Sequence, residues 1–352
     1  MGAMYDSPRM DQSEGIAGGD PSASAVPARR SRLARAPERA LRSLFLALAR
    51  RRSLGRFATR LPLTRAMVAR FVAGQTLDDA LATIQRLHDA GLSTTVDVLG
   101  ESVASADAAV AAAERYVRTL DALAAAGLDR NVSLKLSQMG LAVDGQVCRA
   151  NVERILERAA TLGAFVRVDM EDHATTDATL ALVRSLRPRH PELGVVIQAA
   201  LRRSSNDIDS LVAESTRVRL CKGAYNEPAS VAFIDRADVD RQFVVLMERL
   251  LRRGTYPAIA THDERLIRRA VNLARREGIG PDRFEFQMLY GVRRDLQERL
   301  VADGWTVRVY VPYGAEWYPY FMRRLAERPA NVAFVLRSLL QERRAPLPKS
   351  AP

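Results

Sequence analysis

The stretch that decides the fold is YPAIATHDERLIRRAVNLARREGIGPDRFEFQML, residues 256–289. It opens with a short apolar run, YPAIAT, and closes with another, FEFQML. Between these runs, residues 263–278 place apolar side chains at positions i, i+3, i+4 and i+7 and end at a glycine, as amphipathic helices with a glycine cap do. The stretch therefore predicts a strand, a helix and a second strand, which is the unit of a parallel sheet.

The same unit recurs along the chain. Helical apolar patterns also cover residues 77–91 and 151–163. Short apolar runs predict strands at residues 94–99, 132–137, 165–170, 194–199, 218–223, 256–261, 284–289 and 307–312. Eight strand–helix units are the number that closes a (βα)8 barrel, so we expect an α/β protein of the TIM-barrel type. A doubly wound open sheet is the alternative, but no G-x-G-x-x-G turn follows the first strand.

The segments outside the predicted barrel differ in composition. Residues 1–36 are rich in Gly, Ser, Pro, Ala and Arg, so we expect a disordered N-terminal tail. Residues 37–70 contain the pattern ERALRSLFLALARRR and predict extra N-terminal helices, which either pack on the barrel or lie on a membrane surface. The catalytic barrel is expected over residues 71–342, with a C-terminal tail at 343–352.

Composition argues against several classes of protein. No run of about 18 uncharged apolar residues is present, so no transmembrane helix is expected. The two cysteines are too few for a disulfide framework, and neither they nor the four histidines show metal-ligand spacing, so no metal is expected. The formal charge of +12 is spread over the tail and many helix faces, which weakens the case for nucleic-acid binding. A cytoplasmic protein is predicted, with peripheral contact at the inner face of the membrane as an open alternative.

Polar and charged side chains interrupt the predicted strands near their C-terminal ends. A polar group buried there without a partner costs several kcal/mol. In a barrel these strand ends meet at one mouth, where the active sites of this architecture lie, so the repetition predicts an enzyme. The residues are Lys135, Asp169, Glu171, Gln198, Arg219, Lys222, Thr261, His262, Gln287 and Tyr310.

For some of these strand-end residues, the sequence also allows other interpretations. Lys135 lies between Leu134 and Leu136 and is expected to point opposite to them, into the barrel. Asp169 is equally consistent with a cap of the following helix. The loop CKGAY, residues 221–225, combines a glycine with a cation and suits a phosphate, but it is not a P-loop.

Near the C-terminus, VYVPYGAEWYPYFMRRLAERPANV, residues 309–332, places an aromatic cluster directly before two arginines. One interpretation is an amphipathic helix with a core of aromatic residues, in which Arg323 and Arg324 pair with Glu327. The other is an anion clamp beside an aromatic wall, because guanidinium groups can hold a carboxylate through two parallel hydrogen bonds.

Taken together, these motifs resemble proline dehydrogenase of the monofunctional bacterial type. The resemblance covers roughly residues 70–340 and rests on RFVAGQT, SLKLS, RVDMED, VVIQA, RLCKGAY, ATHDE, FEFQMLYGVR and the C-terminal stretch, in that order. It implies a (βα)8 flavoenzyme that uses FAD to oxidise L-proline to Δ1-pyrroline-5-carboxylate by hydride transfer to the flavin, the first step of proline catabolism to glutamate. The chain departs from the family at Ala200, where Tyr is frequent, and at His173, where a small polar residue is common.

The resemblance also implies roles for single residues. Arg219 is expected beside the reactive nitrogen of the isoalloxazine, and the proline carboxylate is expected between Lys135, Arg323 and Arg324. The residues expected to be catalytic are Asp169, Arg219, Lys135, Arg323 and Arg324. Substrate contacts are expected from Lys135, Asp169, Leu289, Tyr310, Tyr320, Arg323 and Arg324. Cofactor contacts are expected from Met170, Gln198, Arg219, Lys222, Gly223, Ala224, Tyr225, Thr261, His262, Gln287 and Glu327.

The expected partners follow from the same resemblance. A quinone is the expected electron acceptor. The product is expected to pass to a separate pyrroline-5-carboxylate dehydrogenase, because the chain lacks the several hundred further residues that a fused one would need.

Two rival functions stay open at this point. A Schiff-base, aldolase-like barrel enzyme would use Lys135 or Lys222 as its nucleophile. A nucleic-acid or membrane adaptor would act through the Arg-rich N-terminal region, but it gives the strand-end residues no role.

Overall fold

The structure is a computed structural model that describes residues 68–100 and 102–327, with side chains described as far as Met322. The predicted tails at 1–36 and 343–352 lie outside the described residues, as does nearly all of the predicted N-terminal helical segment, residues 37–70.

Eight parallel strands form a closed barrel in the described part of the chain, each paired with its sequence neighbours and the last paired with the first. They are β1 (Ser93–Val98), β2 (Asn131–Leu134), β3 (Phe165–Val168), β4 (Leu193–Gln198), β5 (Val218–Cys221), β6 (Ala258–Ala260), β7 (Glu285–Leu289) and β8 (Val307–Tyr313). Each strand overlaps its predicted run, so the (βα)8 prediction is confirmed and the open-sheet alternative is wrong.

Helices connect the strands and cover the outside of the barrel. They are α1 (Leu77–Asp89), α2 (Ala106–Ala125), the short α3 (Leu136–Met139), α4 (Gly145–Leu162), α5 (Thr176–Leu186), α6 (Ser204–Ala213), α7 (Arg236–Arg253), α8 (Glu264–Glu277), α9 (Arg294–Ala302) and α10 (Trp317–Glu327). Among these residues no helix is long and apolar enough to cross a membrane.

Helix α8 shows why the pattern in its sequence was sufficient to predict it. Asp263 accepts a hydrogen bond from the backbone N–H of Arg265 and caps the N-terminus. Gly278 ends the helix with φ +66°, a left-handed conformation that glycine adopts without steric cost. The apolar stripe of the helix, which includes Ile267 and Leu273, is buried against the barrel.

Strand residues alternate between the helix layer and the barrel interior, which places the site residues. Val166 and Val168 of β3 lie in the apolar core, whereas Asp169 and Arg219 meet inside the barrel. The interior is also more polar at depth than the sequence suggested, because charged residues occur below the strand ends as well as at them. Arg167, Glu285 and Arg308 are buried within strands β3, β7 and β8.

The ring of Phe165, near the floor of the barrel, contacts two arginine side chains. The guanidinium groups of Arg167 and Arg217 lie 4.9 and 4.3 Å from the centroid of the Phe165 ring. Gly194 on the next strand leaves room for that ring, since a Cβ atom there would be 2.6 Å from Phe165 Cζ. Cation–π contact therefore replaces part of the hydration that the buried Arg167 and the half-buried Arg217 lose.

Candidate active site

Four of the predicted strand-end residues come together at the C-terminal mouth of the barrel. Lys135 Nζ lies 3.6 Å from Asp169 Oδ2 and donates to the Tyr310 hydroxyl at 3.3 Å. The Tyr310 hydroxyl donates to the same Asp169 oxygen at 2.8 Å. Arg219 donates from Nη1 to the other oxygen, Asp169 Oδ1, at 2.7 Å. Three charged side chains, those of Lys135, Asp169 and Arg219, thus form one network with the phenol of Tyr310.

Asp169 is consequently part of this network and not a cap for the next helix. The N-cap of the short 3₁₀ turn that follows β3 is Asp172, whose side chain accepts from the backbone N–H of Thr175. Of the two sequence interpretations of Asp169, the structure supports the one that places its carboxylate inside the barrel mouth.

Arg219 is buried to 5% exposure and is held by three protein side chains. Besides Asp169, its Nε atom donates to Gln287 Oε1, and its Nη2 atom donates to Ser133 Oγ at 2.9 Å. Its guanidinium carbon also lies 5.3 Å from the centroid of the Tyr310 ring. The cation therefore has acceptors within the protein, and its orientation is fixed from three directions.

Asp97 on β1 belongs to the site although the sequence analysis did not select it. It is 1% exposed, and both of its oxygens lie 3.3 Å from Lys135 Nζ. Tyr116 reaches the same place from α2, with its hydroxyl 3.4 Å from Asp97 Oδ1. The available signal was a carboxylate inside the apolar run TTVDVL, the same kind of interruption that marked the other strands.

The phenol of Tyr310 remains protonated in this setting. Burial raises its pKa well above the ordinary tyrosine value, and the nearby carboxylates of Asp169 and Asp97 raise it further. Tyr310 therefore serves as a hydrogen-bond donor to Asp169 throughout the physiological pH range.

The loop after β5 lines the adjacent part of the mouth. Gly223 has φ +110°, and a Cβ atom there would lie 2.9 Å from Gln198 Oε1 and 3.2 Å from the Ala200 Cβ atom. Gln198 is itself held by the hydrogen bond that its Nε2 atom donates to the Glu171 backbone carbonyl at 2.6 Å. Ala224 and Tyr225, which follow Gly223, are exposed. The loop thus presents backbone to the mouth at the place where a side chain would not fit.

Lys222 is anchored at the rim by two carboxylates. Its Nζ atom lies 2.5 Å from Asp240 Oδ1 and 3.3 Å from Asp263 Oδ2. Further along the same loop, Glu227 accepts from the backbone N–H of His173 and contacts its ring. His173, one of the two departures from the family pattern, therefore ties the loop after β3 to the loop after β5.

His262, two residues after the end of β6, has a tautomer that is fixed by a hydrogen bond from β7. His262 Nε2 accepts a hydrogen bond from the backbone N–H of Leu289 at 2.9 Å, so the ring carries its proton on Nδ1 when neutral. Thr261 accepts from the backbone N–H of Asp263 and is buried, while Leu289 is half-buried. Met170 is buried to 6% exposure directly after β3.

The C-terminal helix α10 places the predicted aromatic wall beside the barrel mouth. Trp317, Tyr318, Tyr320 and Phe321 are all buried and form a second apolar cluster with Val72 and Leu99. The Phe321 ring lies 6.3 Å from that of Phe71 and 6.0 Å from that of Trp317. The helix continues through Arg323, Arg324 and Glu327, whose side chains lie outside the described part.

Among the side chains that the structure describes, no three of His, Cys, Asp or Glu are arranged so that they could hold a metal ion. The mouth instead offers cations, carboxylates, a phenol and an exposed glycine loop. The fold and this mouth define a (βα)8-barrel enzyme with a charged pocket at the C-terminal ends of its strands.

Comparison with known proteins identifies the family. The profile of the proline dehydrogenase family matches residues 80–337. Proline dehydrogenase 1 of Bacillus subtilis subsp. natto is 41% identical over 302 residues, which are 86% of this chain and 100% of that protein. The proline dehydrogenase of Deinococcus radiodurans is 42% identical over 280 residues, 78% of this chain and 90% of that protein. The chain therefore belongs to the proline dehydrogenase family, and the resemblance in its sequence is confirmed.

A solved structure supports the same assignment. Proline utilization A (PutA) from Bdellovibrio bacteriovorus, inactivated by N-propargylglycine, matches with a TM-score of 0.70 and 26% sequence identity. The match covers 74% of this chain and 32% of that one, so the chain corresponds to about a third of the larger protein.

The family implies a flavin cofactor, and the residues of the mouth fit one. The backbone of the Gly223 loop can approach a ligand closely, since the positive φ and the neighbouring Gln198 leave no place for a side chain. Arg219 provides a fixed cation below this loop, and Gln198 an amide beside it. A flat heterocycle with a polar edge and a phosphate-bearing tail needs these kinds of group.

Proposed function

We propose that the chain binds FAD and oxidises L-proline to Δ1-pyrroline-5-carboxylate, the first step of proline catabolism. The observation that carries this proposal is the network of Lys135, Asp169, Arg219 and Tyr310 at the barrel mouth of a proline dehydrogenase family member. The network contains two cations with separate uses. Lys135 at the mouth would bind the carboxylate of an amino acid, and Arg219, fixed deeper in the barrel, would face a redox cofactor.

The substrate is proposed to bind with its carboxylate toward Lys135, Arg323 and Arg324. Lys135 is suitable because its ammonium group is positioned by Asp97 and Tyr310 yet its side chain keeps 16% exposure at the mouth. Charge-assisted hydrogen bonds from several cations can offset the desolvation of a carboxylate. Leu289, Tyr310 and Tyr320 are proposed to enclose the apolar pyrrolidine ring, with Asp169 beside it.

The reaction makes few demands on acid–base groups. Proline loses a proton from its ammonium group and a hydride from the carbon next to nitrogen, which leaves a carbon–nitrogen double bond. The flavin, when bound, supplies the acceptor for that hydride. The protein holds the ring in one orientation and excludes water with the aromatic residues of α10.

The proposed cofactor contacts divide by position. Arg219 and Gln198 are proposed to serve the ring, since they lie on the neighbouring strands β5 and β4, with Gln198 at the end of its strand. The loop residues Lys222, Gly223, Ala224 and Tyr225 are proposed for the phosphates and ribityl chain, and Met170, Thr261, His262, Gln287 and Glu327 remain proposed contacts.

The aldolase-like alternative is not supported by the surroundings of either candidate lysine. Lys135 lies among Asp97, Asp169 and Tyr310, and Lys222 lies between Asp240 and Asp263. A Schiff base requires a neutral amine that can attack a carbonyl, and an amine held by two carboxylates is poorly disposed for that role.

The absorption spectrum of the purified protein tests the proposal. We expect flavin absorption in the visible range and bleaching on anaerobic addition of L-proline, with FAD released on denaturation. N-propargylglycine, which inactivated the Bdellovibrio relative, is expected to inactivate this chain as well. A colourless protein, or one whose colour survives L-proline, would show that the assignment is wrong.

The electron acceptor is proposed to be a quinone, and the product is proposed to pass to a pyrroline-5-carboxylate dehydrogenase. Turnover with a soluble quinone as the sole oxidant checks the first of these proposals. No turnover with any quinone, while an artificial dye supports the reaction, would refute it.

A further inference from the structure

A continuous row of hydrogen bonds runs down the barrel interior from the active site. Arg219 donates from Nε to Gln287 Oε1, and Gln287 donates from Nε2 to Glu285 Oε1. Glu285 accepts in turn from Arg308 Nε, at 3.1 Å to Oε1 and 2.9 Å to Oε2. The four side chains are between 1% and 7% exposed, so the row is shielded from water.

The chemistry of this row fixes which way the Gln287 amide points. A carboxylate such as Glu285 only accepts hydrogen bonds, so it must face the NH₂ end of the amide. A guanidinium such as Arg219 only donates, so it must face the amide oxygen. If the amide turned over, two acceptors would meet at Glu285 and two donors at Arg219. Glu285 therefore determines that Arg219 Nε finds an acceptor.

The ionisation of Glu285 is secured by the cations around it. Burial acts to raise its pKa, but the charges of Arg308 and Arg167, with hydrogen bonds from Gln287 and Arg308, hold the pKa below the usual glutamate value. Arg167 is fully buried, and among the described residues no acceptor lies within hydrogen-bond reach of its three side-chain nitrogens. Glu285 is thus the carboxylate that offsets several interior cations, and it stays an obligate acceptor.

We propose that Glu285 is a positioning residue for the redox site, which acts through Gln287 to hold the Arg219 guanidinium in the orientation that meets Asp169 and the flavin. The inference rests on the proposed flavoenzyme function, because that function places Arg219 beside the cofactor. It replaces the proposed direct contact of Gln287 with the cofactor by a role in the support of Arg219, since both ends of the amide are held by Arg219 and Glu285. It also gives the Glu285–Arg308 pair a role in tuning the flavin.

Glu285→Gln tests the proposal against Asp129→Asn as its control. An amide at position 285 can present either its oxygen or its NH₂ group, so the Gln287 orientation is no longer imposed. Asp129 also accepts from Arg308 but does not contact Gln287, so Asp129→Asn removes the same charge from the same arginine. Both variants are measured as flavin-loaded protein, by spectroelectrochemistry and by steady-state kinetics.

We expect Glu285→Gln to make flavin reduction about tenfold less favourable, which corresponds to a potential about 30 mV lower for a two-electron couple. The kcat value should fall about tenfold with little change in KM, and Asp129→Asn should leave both quantities unchanged. A purely through-space effect would have the opposite sign, because removal of a negative charge favours reduction. A potential that rises, that stays at the wild-type value, or that shifts equally in both variants overturns the proposal.

A double-mutant cycle identifies the route of the effect. Gln287→Leu removes the bridging amide but keeps the ion pair of Glu285 with Arg308, so it should lower the potential by itself. In that background, Glu285→Gln should not lower the potential further, because residues that act through one contact are not additive. Additive shifts would mean that Glu285 does not act through Gln287 and would overturn the proposal.

Two further readouts separate the possible failures. Thermal unfolding of the cofactor-free protein shows whether Glu285→Gln folds. If it does not, the test uses Gln287→Leu alone, and a flavin potential equal to that of the wild type in this variant overturns the proposal. If the wild-type protein holds no flavin, the proposed function fails first. If it holds flavin that L-proline reduces and the variants behave as wild type, only the role of Glu285 is refuted.

Discussion

Arg219 and Asp169 are joined across the barrel mouth, with 2.7 Å between Nη1 of the arginine on β5 and Oδ1 of the carboxylate that follows β3. The other oxygen of Asp169 accepts from Tyr310 at 2.8 Å. Both oxygens of Asp169 are therefore held by strands other than its own. The buried cation does not depend on a cofactor for its acceptors, and it is oriented before any ligand binds. Such preorganisation is what makes a fixed charge effective in a low-dielectric site.

The first prediction concerns this cation. Arg219→Met should keep the fold but lower kcat about 100-fold, the usual scale for loss of one electrostatic stabiliser. The flavin potential should fall, because the reduced cofactor loses a nearby positive charge. Spectroelectrochemistry and steady-state kinetics measure the two effects.

Arg219→Lys is the informative companion variant. The three N–H donors of an ammonium group share one nitrogen, so lysine cannot replace the separate Nε, Nη1 and Nη2 atoms from which Arg219 reaches Gln287, Asp169 and Ser133. Most of the loss should therefore persist although the charge is kept. If both variants show an unchanged potential and full turnover, Arg219 is a structural arginine and the placement of the flavin is wrong.

The second prediction concerns the glycine loop. Gly223→Ala should lower the flavin content of the purified protein, because the added Cβ atom would lie 2.9 Å from Gln198 Oε1 at a backbone φ of +110°. Gly278→Ala is a matched control, since Gly278 also has a positive φ, +66°, but no atom of the described residues lies within 4 Å of its Cβ position. Gly278→Ala should lose about 1 kcal/mol of stability from backbone strain, and Gly223→Ala should lose more because its Cβ atom also meets Gln198. Equal flavin content in the two variants would count against a cofactor at Gly223.

The sequence was sufficient to predict the barrel, because each strand and helix is specified by features within its own stretch of the chain. Residues 263–278 have a helical apolar period, a capping aspartate and a terminal glycine, and all of these act within one helix. The inward direction of Arg219 was also predictable, since Val218 and Leu220 alternate with it along β5.

The partners inside the barrel were not predictable, because they are brought together by strand pairing over long distances in the chain. Asp97 meets Lys135 across 38 residues, and Arg219 meets Gln287 across 68. Glu285 was visible as a charge within a predicted strand, but only the closed barrel shows that it faces Arg308 and Gln287. The sequence of β5 alone therefore does not show which side chains of the protein accept hydrogen bonds from Arg219.

The third prediction concerns alkaline pH. Burial and the carboxylates of Asp97 and Asp169 raise the pKa values of Tyr116 and Tyr310 well above the ordinary value. Above about pH 10 these phenols ionise in the unfolded chain while they stay protonated in the folded protein. Folded protein then binds more protons than unfolded protein, so stability falls as pH rises, by about 1.4 kcal/mol per pH unit for each tyrosine.

Urea unfolding between pH 8 and 11 measures this slope. Tyr116→Phe should be less stable than wild type at pH 8, because the hydroxyl no longer donates to the Ser133 carbonyl, which it does at 2.9 Å. Its stability should nevertheless decline less steeply above pH 10. Parallel profiles for the two proteins would show that Tyr116 titrates normally in the folded state.

The fourth prediction concerns the arginine pair of α10. Positions 323 and 324 follow Tyr320 by three and four residues on a continuous helix, so all three lie on one side of it. Arg323→Ala or Arg324→Ala should raise KM for L-proline about 10- to 100-fold, since a hydrogen bond to a charged group contributes about 1.5–3 kcal/mol. The visible spectrum should remain that of the loaded protein, because these groups are assigned to the substrate and not to the cofactor. Arg241→Ala, which removes an exposed arginine that pairs with Asp238 three residues earlier on α7, should leave KM unchanged. Wild-type KM values in both α10 variants would remove these arginines from the proposed carboxylate site and leave Lys135 as its cation.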